Sequence, residues 1–220
     1  MTSFCCADLN PIDLLSESWL LIGDEYPLFL GINVVGLIIG GYTPLAILLG
    51  PMMCGIYFCY FRKMEGEPVR FEDLFRGFDC FKDSLIVSLL VLAYGMVLGL
   101  VLFMFAGIGI FGAIAAGDTA GPVLIAALGL LFVFGTVLGL TVSIGLAFAY
   151  PLIVDRGLPA MEAISTSFAA VRANLAGVIV LMFVIVVMSM VAAAFCVLPL
   201  YLISPITMGA SALAYRRVFA

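Results

Sequence analysis

The sequence predicts an all-α, polytopic membrane protein. Its six transmembrane helices are expected to form three repeated units, each an interfacial amphipathic helix followed by a transmembrane hairpin. Hydrophobic residues make up 65% of the 220-residue chain and charged residues only 10%, and the mean hydropathy is +1.30. Soluble domains are about half apolar and about a quarter charged. Two further observations support this fold class: the uncharged stretches are long, and parts of the sequence repeat.

The uncharged stretches define the predicted spans. They cover residues 28–61, 84–117, 119–154 and 173–215. A helix needs about 20 apolar residues to cross a bilayer, and turn residues at 40–44 and 197–199 divide the first and last stretches. We therefore predict spans at 28–43, 44–61, 84–108, 122–150, 174–196 and 199–215, in one transmembrane domain that covers 1–220. Because the first span is short, a full crossing and a re-entrant hairpin both remain open.

The basic residues predict the orientation. On the six-span arrangement all nine fall on the same side of the membrane: Arg62, Lys63, Arg70, Arg76, Lys82, Arg156, Arg172, Arg216 and Arg217. An excess of Lys and Arg marks the cytoplasmic side, so we expect both termini to lie there. The opening "MTSFCCADLN" has no basic segment before an apolar stretch, so no removable signal peptide is expected.

A charged segment between the second and third spans predicts an interfacial helix. Its apolar residues follow the i, i+3, i+4, i+7 spacing of one helical face, at Phe71, Leu74, Phe75, Phe78 and Phe81, and charged residues take the other face. Such a helix is too short to span a bilayer and is expected to lie flat at the cytoplasmic surface. The predicted membrane-interface side chains, here and in the related segments described next, are Trp19, Phe71, Phe75, Phe78, Phe81 and Phe168.

The same pattern recurs elsewhere in the chain. Ninety residues later Met161, Ile164, Phe168 and Val171 repeat the spacing, and near the start Asn10 is a predicted N-cap for a helix that begins at Pro11. The segments 50–63 and 204–217 also align without gaps, each with a Pro, a Gly and a basic pair at matching positions. These similarities predict three repeats at 10–63, 70–156 and 159–217, all entering from the same side.

Several motifs resemble those of a known family. They are Gly-Pro-x3-Gly in the second span, "EGEPVRFEDLFRGF" and "YPLIVDRGLPAMEAISTSFAAVRANLAG". Over about 45–217 the chain resembles a broad, largely uncharacterised bacterial family of six-helix membrane proteins, whose relatives include the membrane domain joined to some glycerophosphodiester phosphodiesterases. The resemblance implies a bacterial inner-membrane location and a fold. It does not imply phosphodiesterase activity, because this chain has no soluble catalytic domain.

Residues suited to catalysis are scarce. The chain has no histidine, which removes imidazole metal ligands, Ser-His-Asp and Cys-His nucleophile systems, and the commonest general base. We therefore expect no catalytic, cofactor-binding or metal-binding residues and no enzymatic activity. Asp155, Arg156 and Arg172 are interpreted instead as a structural clamp in which charged side chains pair. The mixed signs of the charged residues do not form a basic surface for nucleic acid.

Two functional classes remain. The first is a non-enzymatic membrane protein that organises lipid or a larger assembly through its amphipathic helices, as a homo-oligomer or as a subunit of a larger complex. The alternative is a passive channel or carrier for a small neutral or amphiphilic solute. It rests on a seven-residue stripe in the fourth span, Gly129, Thr136 and Ser143, which predicts either close helix packing or the lining of a narrow pore.

Overall fold

A computed structural model describes residues 9–42, 47–116, 121–195 and 197–219, leaving aside the side chains at 102, 106–116, 121–125, 128 and 197. The described residues are helical and contain no strand. The α-helices are α1 Pro11–Ile22, α2 Tyr26–Tyr42, α3 Leu49–Met64, α4 Phe81–Ala116, α5 Gly121–Gly145, α6 Ala149–Arg156, α7 Ala160–Ala173, α8 Leu175–Phe195 and α9 Val197–Phe219. A ten-residue 3₁₀-helix, Phe71–Cys80, precedes α4, and one 3₁₀ turn joins α1 to α2. The predicted fold class is therefore confirmed at the level of an all-helical chain.

Five described helical stretches are long and apolar enough to cross a membrane. They are Pro11–Tyr42, Phe71–Phe105, Gly129–Arg156, Leu175–Phe195 and Leu198–Phe219. The hairpin partner of α2, helix α3, is not among these five, although ten of its 16 residues are buried. Its length is about 24 Å at 1.5 Å per residue, less than the roughly 30 Å hydrocarbon core. The chain is thus a helical membrane protein, and the count of six spans remains a prediction.

Packing groups the chain into two compact units. The first comprises Met1–Leu89 and Ile144–Ala220, and the second comprises Leu90–Ser143. The first unit contains the α2–α3 hairpin, the 3₁₀-helix and helices α6 to α9. Most of the described buried side chains belong to it.

Helix α1 begins where the sequence predicts. Asn10 is its N-cap, and the Oδ1 atom of Asn10 accepts a hydrogen bond from the backbone N–H of Ile12 at 3.2 Å. Leu14, Ser18 and Ile22 face the interior of the first unit. Trp19, predicted as a membrane-interface side chain, lies on another side of α1 and is half-exposed.

Helix α9 contains a proline, Pro205, and hydroxyl groups from α1 and α3 bind carbonyls at and beside it. The Tyr60 hydroxyl donates to the carbonyl of Pro205 at 2.7 Å and accepts from Asn33 Nδ2 at 3.0 Å. Ser18 Oγ donates to the carbonyl of Ile206 at 2.9 Å. In a membrane interior, polar groups are costly unless they are hydrogen-bonded within the protein. These bonds therefore stabilise α9 where proline interrupts it.

The helix in the predicted fourth span, 122–150, is interrupted near its end. It stops at Gly145 and resumes as α6 at Ala149. Ser167 of α7 holds the break: its Oγ accepts from the N–H of Phe148 at 3.1 Å and donates to the carbonyl of Gly145 at 2.7 Å. The side chain of Phe148 is buried against Tyr215, with ring centroids 6.2 Å apart.

Candidate membrane-interface site

The 3₁₀-helix presents three rows of side chains, because residues three apart are aligned when a turn contains three residues. One row, Leu74 and Gly77, is buried against the rest of the first unit. The second row is Phe75 and Phe78, and it continues into α4 as Phe81. The third row carries charge: Asp73, Arg76, Asp79 and, at the start of α4, Lys82. The predicted α-helix is thus wrong in its helix type, although its segregation of apolar and charged side chains is present.

Two glycines explain how so long a 3₁₀-helix is held in place. A Cβ atom on Gly77 would overlap the carbonyl of Pro51 and the backbone of Gly55, and one on Gly55 would overlap the carbonyl of Leu74. Glycine is the residue that permits such close approach of two backbones. Runs of 3₁₀-helix longer than three or four residues are uncommon. Tertiary contact with α3 therefore favours the tighter winding over an α-helix.

The charged row is fixed to α3 at its first residue. One carboxylate oxygen of Asp73 pairs with Arg62 at 2.9 Å, and the other accepts from the backbone N–H of Arg70 at 2.8 Å. The Arg76 guanidinium lies 5.1 Å above the ring centroid of Phe58, a cation–π geometry. These contacts orient the 3₁₀-helix about its own axis.

The outward result is an aromatic surface, which we call the phenylalanine ridge. It consists of Phe75, Phe78 and Phe81 of the second row together with Phe71, which begins the row of Leu74 and Gly77 but is itself exposed. These side chains are 36–44% exposed. The rings of Phe78 and Phe81 are nearly parallel, with centroids 6.3 Å apart. All four ridge residues are among the predicted membrane-interface residues.

The other two predicted interface side chains differ from each other. Trp19 is 50% exposed and its ring centroid lies 5.5 Å from that of Tyr26. Phe168 is half-buried and its ring lies against Gly145. The buried face of α7 is made of small side chains, Ala160, Ala163, Ser167 and Ala170, together with Val171. As a result Met161, predicted on the same face as Phe168, is largely exposed.

Three glycines occupy equivalent positions in the predicted repeats, since Gly55 matches Gly209 in the aligned segments and Gly145 at the ninety-residue offset. Each contacts an amphipathic segment. Gly55 of α3 lies against Leu74 of the 3₁₀-helix, and Gly145 lies against Phe168 of α7. Gly209 of α9 lies against Ser18 of α1. The first two contacts join a hairpin to the segment that follows it, and the third joins the last hairpin to the first segment of the chain.

A cluster of ion pairs joins the ends of α3, α6 and α9. Four of its basic members are the two basic pairs that align between segments 50–63 and 204–217, Arg62-Lys63 and Arg216-Arg217. The pairs are Arg62 with Glu67 (2.9 Å) and with Asp73, Lys63 with Glu25 (3.1 Å), Arg216 with Glu65 (2.6 Å) and Asp155 (3.5 Å), and Arg217 with Glu17 (2.6 Å). Most of these side chains are partly exposed, so single pairs contribute little to stability. Arg156 also contacts Asp155 at 3.9 Å. The cluster therefore brings together five basic residues that the sequence predicts on the same side of the membrane.

The residues of the predicted clamp do not all meet. Asp155 pairs with Arg156 and Arg216 and accepts a hydrogen bond from the Tyr215 hydroxyl at 2.7 Å. Arg156 also donates to the carbonyl of Phe219 at 2.9 Å. Arg172 is exposed and makes no ion pair with any described residue.

Two residues that link separate helices were not identified from the sequence: Tyr215, which binds Asp155, and Asp83, which binds the start of α7. Tyr215 is the nearest partner of Asp155. Nothing in the sequence around Tyr215 indicates that its hydroxyl donates a hydrogen bond to an acid 60 residues away. Asp83 accepts from the backbone N–H of Ala160 at 3.0 Å and so caps the start of α7. Helix α7 begins after Pro159, whose side chain cannot accept a hydrogen bond from the first backbone N–H groups of the helix. This missing local cap is the sequence signal that could have pointed to a more distant acid.

The small-residue stripe faces outward within the second unit. Gly129, Thr136 and Ser143 are exposed, and the Thr136 hydroxyl donates to the carbonyl of Phe132 in its own helix at 2.8 Å. Helix α5 packs on α4 through a different edge, where Gly135 lies against Leu98 and Gly139 against Tyr94. The stripe is therefore separate from the described packing edge of α5.

Among the described residues, no group of three or more His, Cys, Asp or Glu side chains is placed to hold a metal ion. The fold and this surface define a helical membrane protein with an amphipathic segment attached to its bundle. Comparison with protein-family models, curated proteins and solved structures gives no match. The resemblance to the six-helix bacterial family therefore continues to rest on the sequence motifs.

Proposed function

We propose that this chain is a non-enzymatic integral membrane protein that organises lipid or a larger membrane assembly through amphipathic segments in the cytoplasmic leaflet. The observation that supports this most strongly is the phenylalanine ridge. Four aromatic side chains are exposed on or beside a segment that is locked to α3 by glycine contacts at Leu74 and Gly77. A rigidly attached aromatic surface beside a charged row suits the boundary between headgroups and acyl chains.

The free energy expected from inserting the phenylalanine ridge into lipid fits a surface anchor. Full burial of a phenylalanine side chain contributes about 1.5–3 kcal/mol. Because more than half of each ridge side chain is already covered within the protein, insertion into lipid adds roughly 1 kcal/mol per ring. Four rings together hold the segment in the leaflet without making it a transmembrane helix.

We further infer six spans in three repeated units, with both termini cytoplasmic in a bacterial inner membrane. The cyclic set of glycine contacts at Gly55, Gly145 and Gly209 supports the repeats, since equivalent positions would make equivalent contacts. The ion-pair cluster supports a single cytoplasmic face. Lipids, further copies of the chain or other subunits of an assembly are the partners this arrangement favours.

The proposal is tested by reconstituting the purified chain into phosphatidylcholine/phosphatidylglycerol vesicles and measuring vesicle diameters by electron cryomicroscopy. Wild-type protein is expected to shift the diameter distribution relative to empty vesicles, and Phe75→Ser/Phe78→Ser to abolish that shift. The matched control is Phe132→Ser/Phe134→Ser, two exposed phenylalanines of the second unit, which should behave as wild type. Unchanged vesicles with wild-type protein, together with a lone monomer after gentle extraction, would refute the proposal.

The passive channel is the second candidate, and the exposed stripe of α5 is the observation that favours it. Because Thr136 faces away from the edge of α5 that packs on α4, α4 would not form the opposite wall of a path lined by the stripe. Glycerol flux into vesicles should then fall at least tenfold in Thr136→Phe if such a path exists. No flux above that of empty vesicles would exclude it.

A further inference from the structure

A groove lies between α2, α8 and α9 beside the proline of α9, away from the phenylalanine ridge. Its volume is about 360 Å³, within the range typical of small-ligand pockets. Its lining is mainly aliphatic, as at Leu37 of α2 and Ile185 of α8.

Hydroxyl groups are the polar component of this lining. They belong to Ser189, Tyr201, Ser204 and Thr207, and the described lining includes no charged side chain. A groove that is apolar with a few hydroxyls matches a ligand that is apolar with a small neutral polar group. A bare ion would lose its hydration without gaining a charged partner, which is costly in a membrane interior.

The hydrogen bonds within α8 and α9 define the polarity of that partner group. Ser189 Oγ donates to the carbonyl of Ile185 at 2.8 Å, Ser204 Oγ to that of Tyr201 at 2.8 Å, and Thr207 Oγ1 to that of Ser204 at 3.1 Å. With their protons used in their own helices, these three oxygens still have lone pairs that can accept. The fourth hydroxyl, of Tyr201, can donate or accept. An alcohol, which can do both, is therefore complementary to all four groups, whereas a carboxylate offers only acceptors and leaves the three aliphatic hydroxyls unmatched.

The proline gives the groove a structural cause. Pro205 has no N–H, so the carbonyl of Tyr201 one turn earlier loses its helical partner, and Ser204 Oγ binds that carbonyl instead. Tyr26 from α2 donates to the neighbouring carbonyl of Leu202. The groove is therefore lined by a stretch of α9 whose backbone bonds are completed by side chains.

We propose that this groove binds one neutral, single-chain amphiphile whose head group donates a hydrogen bond, with its hydrocarbon chain along the aliphatic lining and its hydroxyl at Ser189, Ser204 or Thr207. The ligand class is a medium-chain alcohol or a lipid with the same head chemistry. This site is independent of the proposed lipid-organising surface. Neither proposal requires the other.

The test uses photocrosslinking in phosphatidylcholine nanodiscs, which avoids competition from sugar detergents. The probe is a dodecanol with a diazirine in its chain, and the comparison probe is the dodecanoate with the same diazirine. We expect saturable labelling by the alcohol in segments 185–189 and 200–208, displaced by excess dodecanol. The carboxylate should label these segments at least tenfold less.

Two variants separate occupancy from head-group recognition. Ser189→Leu fills the groove from α8 and should reduce labelling about tenfold, while the control Ala194→Leu, an exposed position on the same helix, should leave it unchanged. Thr207→Val keeps the side-chain shape but removes an acceptor, so labelling should fall roughly threefold to tenfold. Equal labelling by both probes, labelling spread evenly along the lipid-facing helices, or no effect of Ser189→Leu in a folded protein would each overturn the proposal.

Discussion

Asp155 joins helix α6 to helix α9. Its carboxylate accepts a hydrogen bond from the Tyr215 hydroxyl and lies near the guanidinium groups of Arg156 and Arg216. Arg172, assigned to the same clamp from the sequence, is exposed on α7 and outside this group. At the scale of residues, the function of a charged side chain in this protein depends on which helix end it reaches.

Replacing Asp155 by alanine should lower the free energy of unfolding by about 1–3 kcal/mol. The hydroxyl of the buried Tyr215 side chain would lose its acceptor, and Arg216 would lose one of its two carboxylate partners. Arg172→Ala should change it by about 0.5 kcal/mol or less. Thermal unfolding of both variants in detergent, followed by near-ultraviolet circular dichroism, checks the difference. Equal destabilisation by the two substitutions would contradict the observed geometry.

The sequence could identify Asp155 and Arg156 as a pair because they are adjacent in the chain. It could not exclude Arg172, since an offset of ninety residues aligns side chains without giving the rotation of the helix that carries them. Tyr215 and Asp83 were missed for a related reason: each bonds an element more than fifty residues away, and no local pattern records such a contact.

At the scale of elements, the 3₁₀-helix depends on its glycine contacts with α3. The sequence predicted a helix here with one apolar face at a period of 3.6, whereas at a period of three the same positions form two neighbouring rows, 71 and 74 in one and 75, 78 and 81 in the other. What decides between them is the close approach of Gly77 to α3, which is a tertiary property. The break between α5 and α6 was unpredictable for the same reason, because Ser167 holds it from another helix.

Gly77→Ala should therefore destabilise the protein by about 3 kcal/mol or more, or prevent folding, since the added Cβ meets backbone atoms that cannot rotate away. The matched control is Gly99→Ala in α4, where an added Cβ enters open space and should stabilise the helix by about 0.5–1 kcal/mol. Yield of monodisperse protein and the unfolding midpoint are the measurements. A Gly77→Ala variant as stable as wild type would show that the two backbones are farther apart than described.

At the scale of the whole molecule, hydropathy and length identified the class of protein. The predicted spans around 174–196 and 199–215 match α8 and α9 within about two residues at most ends, since continuous apolar runs have clear boundaries. Helix α3 shows the limit of this signal. Its mean hydropathy is reduced by Tyr57, Tyr60 and the basic pair at its end, although it lies among the most buried helices.

The predicted orientation places Arg76 and Arg172 on the same side of the membrane. It places Asp118, which lies between the third and fourth predicted spans and outside the described residues, on the other side. In a background with all six cysteines replaced by alanine, Arg76→Cys and Arg172→Cys should react with a membrane-impermeant maleimide from the same side of oriented vesicles. Asp118→Cys should react only from the opposite side. Labelling of Arg76→Cys and Arg172→Cys from opposite sides would exclude three units that enter from one leaflet.

The three rows of the 3₁₀-helix also limit how this segment can change in length. One residue removed between Phe71 and Gly77 would turn everything after it by about 120°, so that Phe78 would take the place of Gly77, where Pro51 leaves room only for a hydrogen atom. Insertions or deletions of three residues preserve which side chains face α3. Related chains that keep this contact should therefore vary here in steps of one full turn.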